Sequence, residues 1–334
     1  MSLLNPDGGR MLREFLAAGR YQDAVDNHRS SQVGDQSAEA SLAVATAGTR
    51  LGDFRLGHEY ALRALSAFRA RADEDGQMRA RNLLGAIAFE QGRLSEAEEG
   101  FAAALELARR LDDRLITARA SNNLASITHL RGEEDRALSL FREALLAYQR
   151  IGDRRGAAET YHNLGIAFRQ SGELTEAEHA DAQAVRHATM TGDPLLLALA
   201  VVGNAETDLE KGDLQVAAER LDRAERLATE AGDELGVAEI ARVRAHRWIK
   251  LGRALDAVGE AERGRGIAAR LGSVLLQGEC AAVAAEALRF LGRDKEAEER
   301  VLEAERLFVN LGATGLLGRL RGRPPGENFR GSRQ

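Results

Sequence analysis

Along residues 154–193, apolar and small side chains at Ala158, Tyr161, Leu164, Gly165 and Phe168 fall three and four apart, the spacing of one helical face. Gly172 interrupts that stripe with the backbone freedom that ends a helix. A second stripe follows at Ala177, Ala180, Ala184, Val185 and Ala188, closed by Gly192-Asp193. Thr175 and Glu178 resemble a capping box at its start. Small residues at Gly165 and Ala177 allow the two helices to approach closely. The pattern predicts an antiparallel hairpin of two helices, each of about 16–18 residues.

The same pattern returns every forty residues. Gly52, Gly92, Gly132, Gly172, Gly212, Gly252 and Gly292 form one column, and Gly152, Gly192, Gly232, Gly272 and Gly312 form a second. A third reads Gly57, Ala97, Ala137, Ala177, Ala217, Ala257 and Ala297. One hairpin cannot bury its stripes alone, whereas stacked hairpins bury them for one another, so a fixed period of this size predicts a solenoid. The expected fold is an all-α, right-handed superhelix of about eight hairpins with one continuous core. Its expected parts are a short N-terminal hairpin over 1–34, seven repeats over 35–313, a capping helix over 314–322 and a basic tail over 323–334. The tail carries Pro324-Pro325, several Gly and Arg, and Phe329 as its large apolar residue, a composition that predicts disorder.

The run Leu84-Gly85, Gly92, Ala97, Phe101, Ala104-Leu105 resembles the tetratricopeptide repeat. It recurs as Leu124-Ala125, Gly132, Ala137, Phe141, Ala144-Leu145, and as Leu164-Gly165, Gly172, Ala177, Asp181, Ala184-Val185. The usual unit has about 34 residues and a closing Pro; here it is longer and the Pro is absent, which predicts a longer second helix. Such units are similar to those of Pins-type G-protein-signalling modulators, kinesin light chain and some bacterial regulators. Departures occur at Asn204, Arg244 and Ala284, where Leu is usual, and at Asp208, where an aromatic residue is usual.

The resemblance implies that first helices line a concave groove. Carried over, it offers Arg79, Asn82 and Phe89, then Arg119, Asn122, Asn123 and His129, then His162, Asn163 and Arg169 as residues facing a bound peptide. Amides match the donors and acceptors of an extended backbone, and Arg presents a fork for carboxylates. In the later repeats the same positions carry Leu199, Val202, Glu206, Leu209 and Glu210, then Val243, His246 and Ile249, then Val283, Glu286 and Phe290. These read as a partly apolar groove that needs a partner. The alternative is that Asn123 and Asn163 are the family's usual residues there, with the apolar positions covered by the array's curvature or by the tail.

Composition narrows the function. The net charge of −6 argues against general nucleic-acid binding, although residues 319–334 carry a local +4. The single Cys280 rules out an internal disulfide framework, and a reducing cytoplasm is the expected compartment. The first residues lack the pattern of a signal peptide, and no apolar run is long and uncharged enough to span a membrane. Gly-Lys of a P-loop and Gly-x-Ser-x-Gly of a hydrolase are absent, and His58-Glu59 is followed by Leu62 where a zinc-protease helix needs His. His179, Gln183 and His187 are read as a solvated face, Cys280 and Trp248 as core. No catalytic residue, metal or cofactor is expected. The expected function is a non-catalytic scaffold that holds a partner peptide in the groove. The alternatives are a regulatory sensor for a small molecule or short peptide, and a self-assembling structural protein.

Overall fold

A computed structural model describes residues 6–30 and 37–322. The predicted disordered tail over 323–334 lies outside these residues. The described chain is a succession of helices packed as antiparallel hairpins, and its contacts group into two units, Met1–Leu124 and Ala125–Gln334. Unit 1 holds α1 (Pro6–Ala17), α2 (Tyr21–Ser30), α3 (Ala38–Arg50), α4 (Phe54–Ala70), α5 (Glu74–Glu90) and α6 (Leu94–Leu111). The division falls within α7 (Arg114–Leu130). Unit 2 continues with α8 (Glu134–Ile151), α9 (Arg154–Ser171), α10 (Leu174–Thr191), α11 (Pro194–Lys211) and α12 (Leu214–Glu230). It ends with α13 (Glu234–Lys250), α14 (Ala254–Arg270), α15 (Val274–Phe290), α16 (Asp294–Leu311) and the short α17 (Thr314–Leu320). From α3 onward, odd-numbered helices are the first and even-numbered the second of each hairpin.

The helix boundaries have local causes. Asp53, Asp73, Asp153 and Asp233 each accept a hydrogen bond from the backbone N–H three residues on, at 2.9–3.0 Å, which satisfies a donor that the first helical turn leaves unpaired. At the other end, Gly172 takes φ 80° and Gly212 φ 88°, the left-handed conformation in which a Cβ is costly.

Within each hairpin the alanine column is the contact. Ala97, Ala137, Ala177, Ala217, Ala257 and Ala297 are all fully buried. Rings fill space left by missing side chains on the facing first helix: a Cβ on Gly85 would lie 2.8 Å from Phe101, and one on Gly156 would lie 2.2 Å from Tyr148.

Several residues depart from the sequence reading. Val202, Leu209 and Val243 lie in the core around Leu221 and Ile240, and Val283 packs with Ala245 and Ala284, so these valines and this leucine do not line an open groove. A first helix packs against two neighbours as well as its own partner, and the larger apolar residues go to those contacts. Phe290 does stay open, 68% exposed. His187 is not on a solvated face: its ring stacks on Tyr161 at 5.6 Å. Trp248 is half-buried, its ring 4.9 Å from the guanidinium of Arg247 and 4.2 Å from that of Arg253, an arrangement of cation–π contacts rather than core packing. Cys280 is core, as expected. Among the described residues, no helix is long and apolar enough to cross a membrane.

Candidate functional site

In unit 1 the residues singled out by sequence lie on α5 and α7. Arg79 pairs with Asp75 one turn earlier at 2.8 Å, and its guanidinium lies 5.8 Å from the Phe68 ring centroid. Asn82 is half-buried, with its Oδ1 shielded from solvent and without a hydrogen-bond partner. Arg119 is exposed, Asn122 is buried and Asn123 is half-buried. Arg79 and Arg119 hold equivalent positions forty residues apart, as do Asn82 and Asn122, so α5 and α7 repeat the same basic and amide-bearing strip.

In unit 2, His129 is buried with its Nδ1 2.8 Å from Glu134 Oε2. Asn163 is half-buried on α9. Arg169, also on α9, is committed to other side chains of the protein, its own side chain only 7% exposed. It donates to Asp181 Oδ2 at 3.0 Å, to Thr207 Oγ1 at 3.2 Å, to the Gly203 carbonyl at 3.3 Å and to Glu206 Oε2 at 2.6 Å. Glu206 also accepts from Arg242 at 2.6 Å. Arg242 in turn donates to Glu239 at 2.5 Å and lies 3.9 Å from Glu279.

These charges form an alternating line. Arg169, Glu206, Arg242 and Glu279 sit on α9, α11, α13 and α15, each three or four places earlier in its forty-residue unit than the one before. That offset carries the line diagonally across successive first helices and brings opposite charges together between neighbours. Arg319 on α17 stands forty residues after Glu279 and interacts with it electrostatically.

Burial sets the protonation of the line. Asp181, wholly enclosed, has its carboxyl pushed up to about 6 by burial, against the pull of Arg169 and Thr207. Burial also opposes ionisation of Glu206, but Arg242 and Arg169 outweigh it and hold the carboxyl at about 2. For Glu279, burial prevails and raises the carboxyl to about 7: the Arg242 contact at 3.9 Å is offset by the neighbouring carboxylates of Glu239 and Glu206, and Arg319 lowers it only weakly. His162 and His246 are each lowered to about 4, by burial first and then by Arg169 beside His162 and Arg242 beside His246. Arg169 and Arg242 thus hold acids in place, and burial, reinforced by these two cations, keeps both imidazoles neutral at neutral pH.

Asp181 is the residue that sequence reading passed over. It stands in the column that Phe101 and Phe141 fill with rings. Opposite it, a Cβ on Gly165 would come 2.2 Å from Asp181 Oδ1, and one on Gly203 would lie 2.9 Å from both Asp181 and His162. An acid in an aromatic slot, twelve residues after an Arg on the preceding helix, was the available signal. Cys280 offers no nucleophile, because burial pushes its thiol up to about 12. No group of three or more His, Cys, Asp or Glu among the described residues is placed to hold a metal ion.

Fold and face together define a helical-repeat protein whose first helices present an ordered polar surface. A family model described as Tetratricopeptide repeat matches residues 76–149 and 117–190. The matched segment, residues 76–190, is built of tetratricopeptide repeats, and similar helix hairpins continue on both sides of it. Among solved structures, the apo form of RapI shares 12% identity over 82% of this chain and 98% of its own, with a TM-score of 0.68. A Rap protein complexed with competence and sporulation factor shares 14% over 94% of each chain, with a TM-score of 0.65. BtubC from P. vanneervenii shares 25% over 66% of this chain and 91% of its own, with a TM-score of 0.51. At such identities the likeness to the two Rap structures is one of fold. No curated protein matches the sequence.

Proposed function

We propose that this protein is a non-catalytic regulatory sensor that binds a peptide segment on the first helices of one of its units. The observation that carries the reading is the ordered polar surface on those helices. Unit 1 repeats Arg and Asn at equivalent positions of α5 and α7, and unit 2 runs a line of alternating charges from α9 to α15. The fold is also that of a Rap protein whose solved complex holds competence and sporulation factor, which supports a short signalling peptide as the ligand class.

On this reading the residues of the face are Arg79, Asn82, Arg119, Asn122 and Asn123 within unit 1, and His129, His162, Asn163 and Arg169 within unit 2. Their roles differ with exposure. Arg119 and Asn123 are open enough to touch a ligand directly, whereas His162 and Arg169 hold the shape of the face that receives it. The basic strip of unit 1 suits an acidic side chain or a peptide carboxylate. A cytoplasmic location fits the free, buried cysteine.

The test is binding of peptides selected from a random-sequence display library, followed by fluorescence anisotropy. A charge-assisted hydrogen bond is worth about 1.5–3 kcal/mol. Arg119→Ala combined with Asn123→Ala is therefore expected to weaken binding by about tenfold or more, with unchanged helix content by circular dichroism. Equal affinity in the double variant would remove α7 from the binding face.

A further inference from the structure

The last helix of unit 2 does more than cover α16. Thr314 Oγ1 donates to the backbone carbonyl of Arg131 at 3.1 Å, joining the start of α17 to the turn between α7 and α8 across 183 residues of sequence. The backbones meet directly beside it. A Cβ on Gly315 would lie 2.6 Å from the nitrogen and 2.9 Å from the Cα of Gly132, and 2.9 Å from the Leu130 carbonyl oxygen. Backbone atoms cannot swing aside as a side chain can, so this contact exists only because position 315 is glycine. The run of helices from α8 to α16 therefore returns on itself, and α17 joins its two ends.

The charged part of the same contact is loose. Arg319 Nη1 lies 4.0 Å from Glu134 Oε1, beyond hydrogen-bond distance. Both terminal nitrogens of Arg319 and that carboxylate oxygen are shielded from solvent and lack a hydrogen-bond partner. The other Glu134 oxygen is held by His129 at 2.8 Å. One neutral hydrogen bond and one unclosed ion pair make a contact that is specific in shape but weak in energy.

We propose that α17 is a releasable clasp: closed on the α7–α8 turn, it limits access to the charged first-helix face of unit 2, and its release opens that face to ligand. The proposal rests on the reading of that face as the binding surface, and names what regulates it. Arg319 is the joint, because its guanidinium stands 4.0 Å from Glu134 on the turn side and it interacts electrostatically with Glu279 at the end of the charged line.

The experiment needs no peptide, so its outcome is separable from that of peptide binding. Carboxyl groups of the full-length protein are labelled with a water-soluble carbodiimide, and modification of Glu239 and Glu279 is read by mass spectrometry. Gly315→Ala adds the one atom that the closed contact excludes, while Ala is a better helix former than Gly. It is expected to raise labelling of both glutamates several-fold and to speed hydrogen exchange at residues 130–134 and 314–320. Arg131→Cys with Thr314→Cys, oxidised, is expected to lower labelling below that of wild type, with recovery on reduction; the native Cys280 is buried and does not compete. High salt, which screens the Arg319–Glu134 pair, should move wild type toward the opened variant. Circular dichroism checks folding, and if Gly315→Ala fails to fold, the disulfide arm decides. Equal labelling of Glu279 in the wild-type and oxidised proteins would overturn the clasp.

Discussion

Ala72 and Asp112 sit in the left-handed region, both at φ 53°, without being glycine. They occupy the column that holds Gly152, Gly192, Gly232, Gly272 and Gly312, all at positive φ. The glycine columns were legible in the sequence as helix stops; these two gaps show that the stop is imposed by the repeat geometry and not by glycine alone. An L side chain in this conformation costs roughly 1–2 kcal/mol, and glycine returns roughly 0.5–1 kcal/mol of that through its greater freedom when unfolded. Ala72→Gly is thus expected to stabilise the protein by about 0.5 kcal/mol, with Asp112→Gly gaining less because Asp tolerates the conformation better. Urea denaturation checks it, and a lower midpoint for Ala72→Gly would show that the turn draws its stability from a contact of the alanine methyl.

At the scale of helices, hairpin pattern and core were readable because each depends on short-range spacing. The alanine column and the aromatic slots of Phe101 and Phe141 follow from residues three, four and forty apart. The charged line was not readable, since its members sit 37, 36 and 37 residues apart in sequence and meet only when neighbouring first helices pack. Burial of that line makes stability depend on pH in a defined direction. His162 titrates near 4 in the fold and near 6.5 when unfolded. The unfolded chain therefore binds a proton that the folded chain refuses as pH falls from about 6.5 to 4, and stability is lost over that window. Asp181 and Glu279, raised to about 6 and about 7, act in the opposite sense and stabilise as they protonate. The effect of the imidazole is isolated by comparison. His162→Gln should remove about 2 kcal/mol of the loss between pH 6.5 and pH 5 relative to wild type. Melting temperatures that fall in parallel for the two proteins would contradict a neutral buried His162.

For the whole molecule, forty-residue periodicity was enough to predict an all-α solenoid, and the tetratricopeptide match supports it over the central repeats. Which first-helix residues face a ligand was less legible, because the forty-residue period assigns a position and not an environment. Val202 and Val243 share first-helix positions with exposed or half-buried residues elsewhere, yet are sealed in the core, while Arg169 is held by its neighbours. The central claim is that ligand meets the first helices. Hydrogen exchange by mass spectrometry, with and without a library-selected peptide at saturation, tests it most directly. The account predicts slowed exchange in α5 and α7 of unit 1 or in α9, α11, α13 and α15 of unit 2, with the second helices unchanged. Protection confined to α6, α8, α10, α12 and α14 would contradict it.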